Sequence, residues 1–115
     1  MKFGRGAVVV VGLDPVMGHE QRGVRPCIVV SDPDIIQDQR FRLLCVVPVT
    51  GTMGEGLLYP ALTQGKSGLT KRSCAMIDQL RSIDKGRVRA VLGELAADEV
   101  GMIDDGLAAF LGLVR

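Results

Sequence analysis

The chain has 115 residues, 47% hydrophobic and 23% charged, with a formal net charge of +1. This composition predicts one globular domain spanning 1–115 and excludes a disordered or repetitive chain. No apolar run is long enough to cross a bilayer, and no cleavage signature follows the short run VVVVGL. We therefore expect a cytoplasmic protein without membrane contact.

Strand-like runs rich in β-branched residues dominate the first half of the chain, at 7–13, 27–30 and 43–49. Residues 32–41 open with an Asp-Pro-Asp turn, which predicts a short helical loop. After the glycine-rich segment 51–56, Pro60 argues for an edge strand or a bulge at 57–63. Two further short strands are predicted at 70–78 and 80–84.

The last segment changes to helical spacing, which predicts one amphipathic C-terminal helix with Asp98 as its N-cap. The residues predicted to face the core are Val100, Ile103, Leu107, Phe110 or Leu111, and Val114. The predicted fold class is α+β, mainly β with helices: a small antiparallel barrel or sandwich with a terminal helix.

Three cysteines, Cys27, Cys45 and Cys74, lie far apart in strand-like apolar settings. This pattern is typical of reduced core thiols and not of a disulfide framework or a zinc site. Nucleotide-binding loops, metal motifs and a nucleophile elbow are also missing from the sequence. We expect no metal and no cofactor, which leaves arginine-centred chemistry.

Charge is unevenly distributed. Residues 51–90 contain seven Lys and Arg and three Asp and Glu, which gives a net charge of +4. Residues 91–115 contain one Arg and five Asp and Glu, which gives a net charge of −4. A nearly neutral protein with this asymmetry can present a basic face to an anionic polymer.

The segment GHEQRGVRP, 18–26, concentrates polar side chains between two apolar runs, as function-bearing loops do. Gly18 and Gly23 permit positive φ, and Pro26 biases Arg25 toward extended geometry. A guanidinium fixed in this way suits recognition of a phosphate or a carboxylate.

Together with VVPVTGT, DQLRSIDKGRV and the segment LAADEVGMIDDGLAAFLGL, this motif resembles the MazF/PemK family of toxin endoribonucleases. The similarity extends from residue 5 to about residue 114. It implies a CcdB–MazF-like fold, an SH3-like barrel with a C-terminal α-helix. His19 is a departure, because many relatives carry a small hydroxyl residue there.

The resemblance implies a metal-independent, sequence-specific endoribonuclease that uses the RNA 2′-hydroxyl to leave a 2′,3′-cyclic phosphate and a 5′-hydroxyl. By motif position, the catalytic residues would be Arg25 and Thr50. The candidate RNA-binding residues are His19, Glu20, Gln21, Arg22, Gln79 and Arg81. The implied partners are single-stranded RNA, a second copy in a homodimer, and a MazE-like antitoxin.

Several roles stay open at this point. His19 could stack on a base, touch a phosphate or transfer a proton, whereas Glu20 could act on RNA or orient Arg22 or Arg25 by ion pairing. Two other functions are also open: a CcdB-like toxin that binds gyrase, and an SH3-like interaction module without activity. The CcdB-like function does not need the loop at 18–26, and the pairing of Arg25 with Thr50 argues against a module without activity.

Overall fold

The structure is a computed structural model that describes residues 1–15 and 17–113. Apolar runs separated by glycine and proline turns form its strands. The strands are β1 Ala7–Gly12, β2 Val24–Val29, β3 Leu43–Thr50, β4 Ala61–Leu62, β5 Ser73–Ala75, β6 Arg81–Asp84 and β7 Val88–Glu94. The α-helices are α1 Pro33–Gln37 and α2 Ala97–Phe110, and short 3₁₀ turns occupy Ile77–Gln79 and Lys85–Arg87.

The strands form an antiparallel sheet in the order β4-β5-β3-β2-β1-β7. One edge of β3 carries both β6, paired with its first half, and β5, paired with its end. The 3₁₀ turn Ile77–Gln79 joins β5 to β6 along this edge. This curled sheet with a terminal helix confirms the predicted mainly β fold.

Each face of the sheet has its own hydrophobic core. Val9, Cys27 and Val46 belong to the first core, which Ile36 of α1 helps to cover. The alternate residues of the same strands belong to the second core, against which Ile103 of α2 packs. Burial on both faces explains why these strands read as continuous apolar runs.

The C-terminal helix begins two residues earlier than predicted. Its N-cap is Ala96, whose N–H donates to Glu99 Oε1 at 3.4 Å, so the predicted cap Asp98 lies inside the first turn. Thr63 N and Oγ1 donate to Glu99 Oε2 at 2.8 and 3.2 Å, which leaves the glutamate only 6% exposed. The local contact between Glu99 and the Ala96 N–H marks the helix start, and the tertiary contact with Thr63 holds the glutamate in place.

The predicted apolar stripe of α2 is shorter than expected. Ile103 is buried and Val100 and Leu107 pack against the core, but Phe110 and Leu111 are 44% and 53% exposed. Val114 lies outside the described residues. A side chain at Gly106 would meet Leu57 O at 2.8 Å, so glycine allows the helix to approach this segment closely.

Other boundaries also differ from the sequence prediction. Strand β7 was not predicted, and β2 begins at Val24, so Arg25 lies in a strand and not in a loop. The predicted strands at 57–63 and 70–78 shrink to β4 and β5. In the described residues, no helix combines the length and hydropathy needed to cross a membrane.

Candidate active site

The hairpin of β1 and β2 presents the polar segment 18–26. Val11 pairs with Arg25, and the hairpin is closed by Leu13 N, which donates to Gly23 O at 2.8 Å. Gly23 has a φ of +78° and donates its N–H to Asp14 Oδ1 at 3.2 Å. Glycine is favoured here because other residues rarely adopt this conformation.

The register of β2 against β3 brings Arg25 level with Thr50. Cys27 pairs with Pro48, and the same register continued by two residues sets Arg25 opposite Thr50 at neighbouring strand ends. Residues two apart in a strand share a face, so both side chains belong to the face of Cys27. The continued register thus sets two residues that are 25 apart in sequence at neighbouring ends of β2 and β3.

Arg25 is held by its own hairpin. Its Nε donates to Arg22 O at 3.1 Å, which leaves both terminal nitrogens for other acceptors. Within the described residues, the ion pairs Arg5–Asp104 and Arg40–Asp38 do not involve it. The half-buried guanidinium is thus positioned without a carboxylate that would neutralise it.

The thiol of Cys27 borders this cationic group. Burial raises its pKa to about 12, although the positive charges of Arg81 and Arg25 act in the opposite direction. A thiol with such a pKa is protonated at neutral pH and is a poor nucleophile. Cys27 therefore acts as a core residue beneath the site.

Thr50 ends β3 beside an open pocket of about 360 Å³. Its Oγ1 accepts a hydrogen bond from Thr52 N at 3.1 Å. This bond uses one lone pair of the oxygen, so the hydroxyl keeps a proton that it can donate to an external acceptor. The pocket is lined by Gln21, Thr50, Thr52, Met53, Gly54, Tyr59, Cys74 and Met76.

Three side chains from the second half of the chain hold the loop between β1 and β2. Gln79 accepts from Gln21 N at 3.2 Å through Oε1 and donates to His19 O at 3.3 Å through Nε2. Arg81 donates to Leu13 O at 2.9 Å, and Arg87 donates to Asp14 O. Gln79 thus binds the backbone of the motif and Arg81 binds the backbone just before it, whereas RNA binding by these two residues stays a prediction.

The tip of the loop is exposed at His19, Glu20 and Arg22. Glu20 Oε1 accepts from Met17 N at 2.6 Å, and no arginine in the described residues forms a salt bridge with it. The interpretation that Glu20 orients Arg22 or Arg25 by ion pairing is therefore wrong for this structure.

Sequence reasoning missed two contributors to the site, Tyr59 and Asp78. The Tyr59 hydroxyl donates to Asp78 Oδ2 at 2.7 Å, which ties the pocket wall to the turn that carries Gln79. This hydrogen bond raises the pKa of Tyr59. The available signal was that Tyr59 is the only tyrosine in the chain.

Residues 4–111 match the family model described as PemK-like, MazF-like toxin of type II toxin–antitoxin system. The chain belongs to this family. MazF-family toxins are generally endoribonucleases. In the described part of the chain, no three His, Cys, Asp or Glu residues are grouped so that they could hold a metal ion.

Solved structures of MazF proteins share the fold over nearly the whole chain. MazF from Deinococcus radiodurans is 26% identical, with a TM-score of 0.81 over 95% of this chain and 96% of that one. The same organism's MazE–MazF complex is 26% identical, with a TM-score of 0.75 over 96% of both chains. A mycobacterial endoribonuclease in complex with its cognate antitoxin is 22% identical, with a TM-score of 0.80 over 99% of both chains.

Proposed function

We propose that this toxin is a metal-independent, sequence-specific endoribonuclease that cleaves single-stranded RNA. The observation that carries the proposal is the register of β2 against β3, which when continued sets Arg25 opposite Thr50, a residue that lines an open pocket. The RNA 2′-hydroxyl gives up its proton and attacks the adjacent phosphorus, and the bond between phosphorus and the 5′-oxygen breaks as that oxygen takes up a proton. The products are therefore a 2′,3′-cyclic phosphate and a 5′-hydroxyl. DNA lacks this nucleophile and is not a substrate.

Arg25 would stabilise the charge that develops on the phosphoryl oxygens. Its Nε is occupied by Arg22 O, so the two terminal nitrogens face the substrate as a preorganised pair of donors. A charged group that is already oriented costs little reorganisation when the pentacoordinate state forms.

Thr50 would add a neutral hydrogen bond to the same charge. The Thr52 N–H occupies one lone pair of its hydroxyl, which keeps a proton that it can donate. A donor at the end of a β-strand is also well fixed, because a β-branched side chain has few accessible rotamers. Arg25 and Thr50 thus form a two-donor site for one phosphate.

The experiment that tests this function is incubation of the purified protein with a long RNA of mixed sequence in EDTA. We expect cleavage at a limited set of sequences, with new 5′-hydroxyl ends that accept phosphate from a polynucleotide kinase. Absence of cleavage at protein excess, or cleavage only after Mg²⁺ is added, would contradict the proposal.

His19 is expected to contribute to RNA binding and not to proton transfer. Its side chain is exposed at the loop tip while its carbonyl is held by Gln79. We expect His19→Ala to weaken RNA binding by about 1–3 kcal/mol, the range measured for base stacking, and His19→Phe to retain part of this energy. Fluorescence anisotropy with a labelled RNA measures the loss.

Single-turnover rates at saturating protein separate this role from catalysis. We expect these rates and both limbs of the pH–rate profile to change little in His19→Ala. A loss on the order of 10² to 10⁴ in rate together with one missing pH limb would instead identify His19 as a general acid or base.

The toxin is also expected to form a homodimer. Leu57 and Met53, both on the segment that follows β3, are 56% and 44% exposed, and Met53 lines the pocket beside Thr50. Burying such a patch against a second copy is a common route to two-fold symmetry. Light scattering at micromolar protein should return the mass of a dimer, whereas a monomer at all concentrations would contradict this expectation.

We further propose that a MazE-like antitoxin binds this toxin. Support comes from the related structures, in which D. radiodurans MazF is bound to MazE and the mycobacterial endoribonuclease to its cognate antitoxin. The basic segment 51–90, with a net charge of +4, would attract an acidic antitoxin segment.

A further inference from the structure

We propose that Arg87 is a positioning residue for Arg25. It holds two backbone carbonyls at the end of β1, and this end of the strand fixes the turn from which the Arg25 guanidinium projects. Arg87 acts through the backbone and does not contact the reacting phosphate. The inference rests on the proposed RNA cleavage and assigns to it a residue outside the pocket beside Thr50.

Guanidinium groups hold three successive carbonyls at the end of β1. Arg87 Nη1 donates to Gly12 O at 3.2 Å and also to Asp14 O. Between them, Leu13 O accepts from Arg81 Nη1 at 2.9 Å. Hydrogen bonds from a charged donor are stronger than those between neutral groups. The backbone of this segment is therefore fixed by side chains that come from the other half of the chain.

The fixed segment in turn holds Gly23 on the opposite side of the hairpin. Leu13 N donates to Gly23 O at 2.8 Å, and Gly23 N donates to Asp14 Oδ1 at 3.2 Å. The side chain of Leu13 is fully buried, which anchors this pair of hydrogen bonds to the core. A shift of the segment would therefore move Gly23 with it.

Gly23 connects the turn to Arg25. The carbonyl just before it, Arg22 O, accepts from Arg25 Nε at 3.1 Å and so sets the direction of the guanidinium. A misplacement of about 1 Å by a distant substitution can lower an enzymatic rate by about 10²-fold. The contacts that begin at Arg87 can thus control the reaction from outside the site.

Arg89 carries the same charge beside the same segment. It lines the same cavity of about 240 Å³ as Arg87, and a Cβ atom at Gly12 would lie 3.1 Å from its Nη2. The carbonyls of residues 12–14, all of which the structure describes, accept from the other two arginines and not from Arg89. Arg89 is therefore a matched control for charge without the positioning contact.

Arg87→Met is expected to lower the single-turnover rate of RNA cleavage about 10- to 100-fold at saturating protein. Binding of a 2′-deoxy RNA that cannot be cleaved should change little, because Arg87 does not contact the RNA. Arg89→Met should keep the wild-type rate. If Arg87→Met lost RNA binding and kept its rate, Arg87 would be an RNA contact and the inference would be wrong.

Combination with Arg25→Ala tests whether Arg87 acts through Arg25. Residues that act as a unit show losses that are not additive in free energy. In Arg25→Ala protein, Arg87→Met should therefore lower the rate little further. If the two losses multiplied, Arg87 would act independently of Arg25, which would contradict positioning.

The lysine variant distinguishes a backbone contact from a phosphate contact. Arg87 Nη1 alone serves both carbonyls, so one ammonium group can replace it in part. We expect Arg87→Lys to recover a large part of the rate, whereas Arg25→Lys recovers little because Arg25 must offer a planar pair of donors. No recovery in Arg87→Lys would count against the carbonyl contacts.

Asp14 provides a test with the opposite change of charge, which does not depend on the folding of an Arg87 variant. Asp14→Ala removes the acceptor of the Gly23 N–H together with a negative charge, a change that favours RNA binding if charge alone matters. We expect a reduced single-turnover rate in Asp14→Ala and a nearly normal rate in Asp14→Asn, whose amide oxygen can still accept. Thermal unfolding identifies the folded variants.

The outcomes separate this inference from the proposed function. If the wild-type toxin cuts no RNA in EDTA, the proposed function is wrong. If it cuts RNA and folded Asp14→Ala and Arg87→Met both cut at the rate of Arg89→Met, cleavage stands and the positioning role is overturned.

Discussion

Replacing Arg25 with alanine is expected to lower the single-turnover rate of RNA cleavage by about 10²- to 10³-fold. Loss of one preorganised donor to a transition-state oxyanion costs about 2.7–4 kcal/mol. The effect should appear in the rate at saturating protein, because the guanidinium acts most strongly on charge that develops during the reaction. Arg25→Lys should recover little activity, since an ammonium group cannot replace the planar pair of donors.

The fold should tolerate this substitution. Arg25 is half-buried at a strand end, and its side chain makes one hydrogen bond, to a carbonyl of the same hairpin. Thermal unfolding of Arg25→Ala is therefore expected to resemble that of the wild type. Arg42→Ala, at an exposed arginine on the segment before β3, is the charge-matched control and should cleave normally. Cleavage by Arg25→Ala at the wild-type rate would refute the assignment.

Thr50→Val should produce the second-largest loss, on the order of 10² in cleavage rate, because it removes one neutral donor from the same charge. Valine keeps the β-branched shape that a strand end favours, so β3 should remain intact. The Thr52 N–H loses its acceptor but lies on an exposed residue, where water replaces the hydrogen bond. Single-turnover cleavage and the melting temperature are the two measurements.

Two further variants distinguish catalysis from structure at Thr50. Thr50→Ser retains the hydroxyl and should recover most of the activity. Thr52→Val removes a neighbouring hydroxyl from the same pocket and should have a much smaller effect. If Thr52→Val were inactive while Thr50→Val cleaved normally, the donor would be Thr52 and Thr50 would have a structural role.

The core strands could be predicted from sequence because both faces of each strand carry apolar residues. Val8 packs into one core and Val9 into the other, so the run shows no polar interruption. Strand β7 was not predicted because exposed residues such as Arg89 and Leu92 alternate irregularly with buried ones. Its pairing with β1 contains two register shifts. These irregularities interrupt the alternation of buried and exposed residues that a regular strand shows.

The motif identified the segment of the site, but the geometry depends on long-range pairing. The register of β2 against β3, continued to the strand ends, sets Arg25 opposite Thr50, and no local pattern near either residue encodes that register. Gln79 was predicted to bind RNA, and this stays a prediction. Its two hydrogen bonds to the backbone of 19–21 become visible only when the turn after β5 lies against the hairpin.

The most direct test of RNA cleavage by an internal hydroxyl is a pair of short RNAs that differ at one atom. Both contain a sequence cut by the wild-type toxin. One of them carries a 2′-deoxy substitution at the nucleotide on the 5′ side of the cleaved phosphate, which would supply the attacking hydroxyl. With protein in excess and EDTA present, we expect complete cleavage of the all-ribose RNA and none of the deoxy-substituted RNA, with similar binding of both. Equal cleavage of the two RNAs would contradict the proposed mechanism.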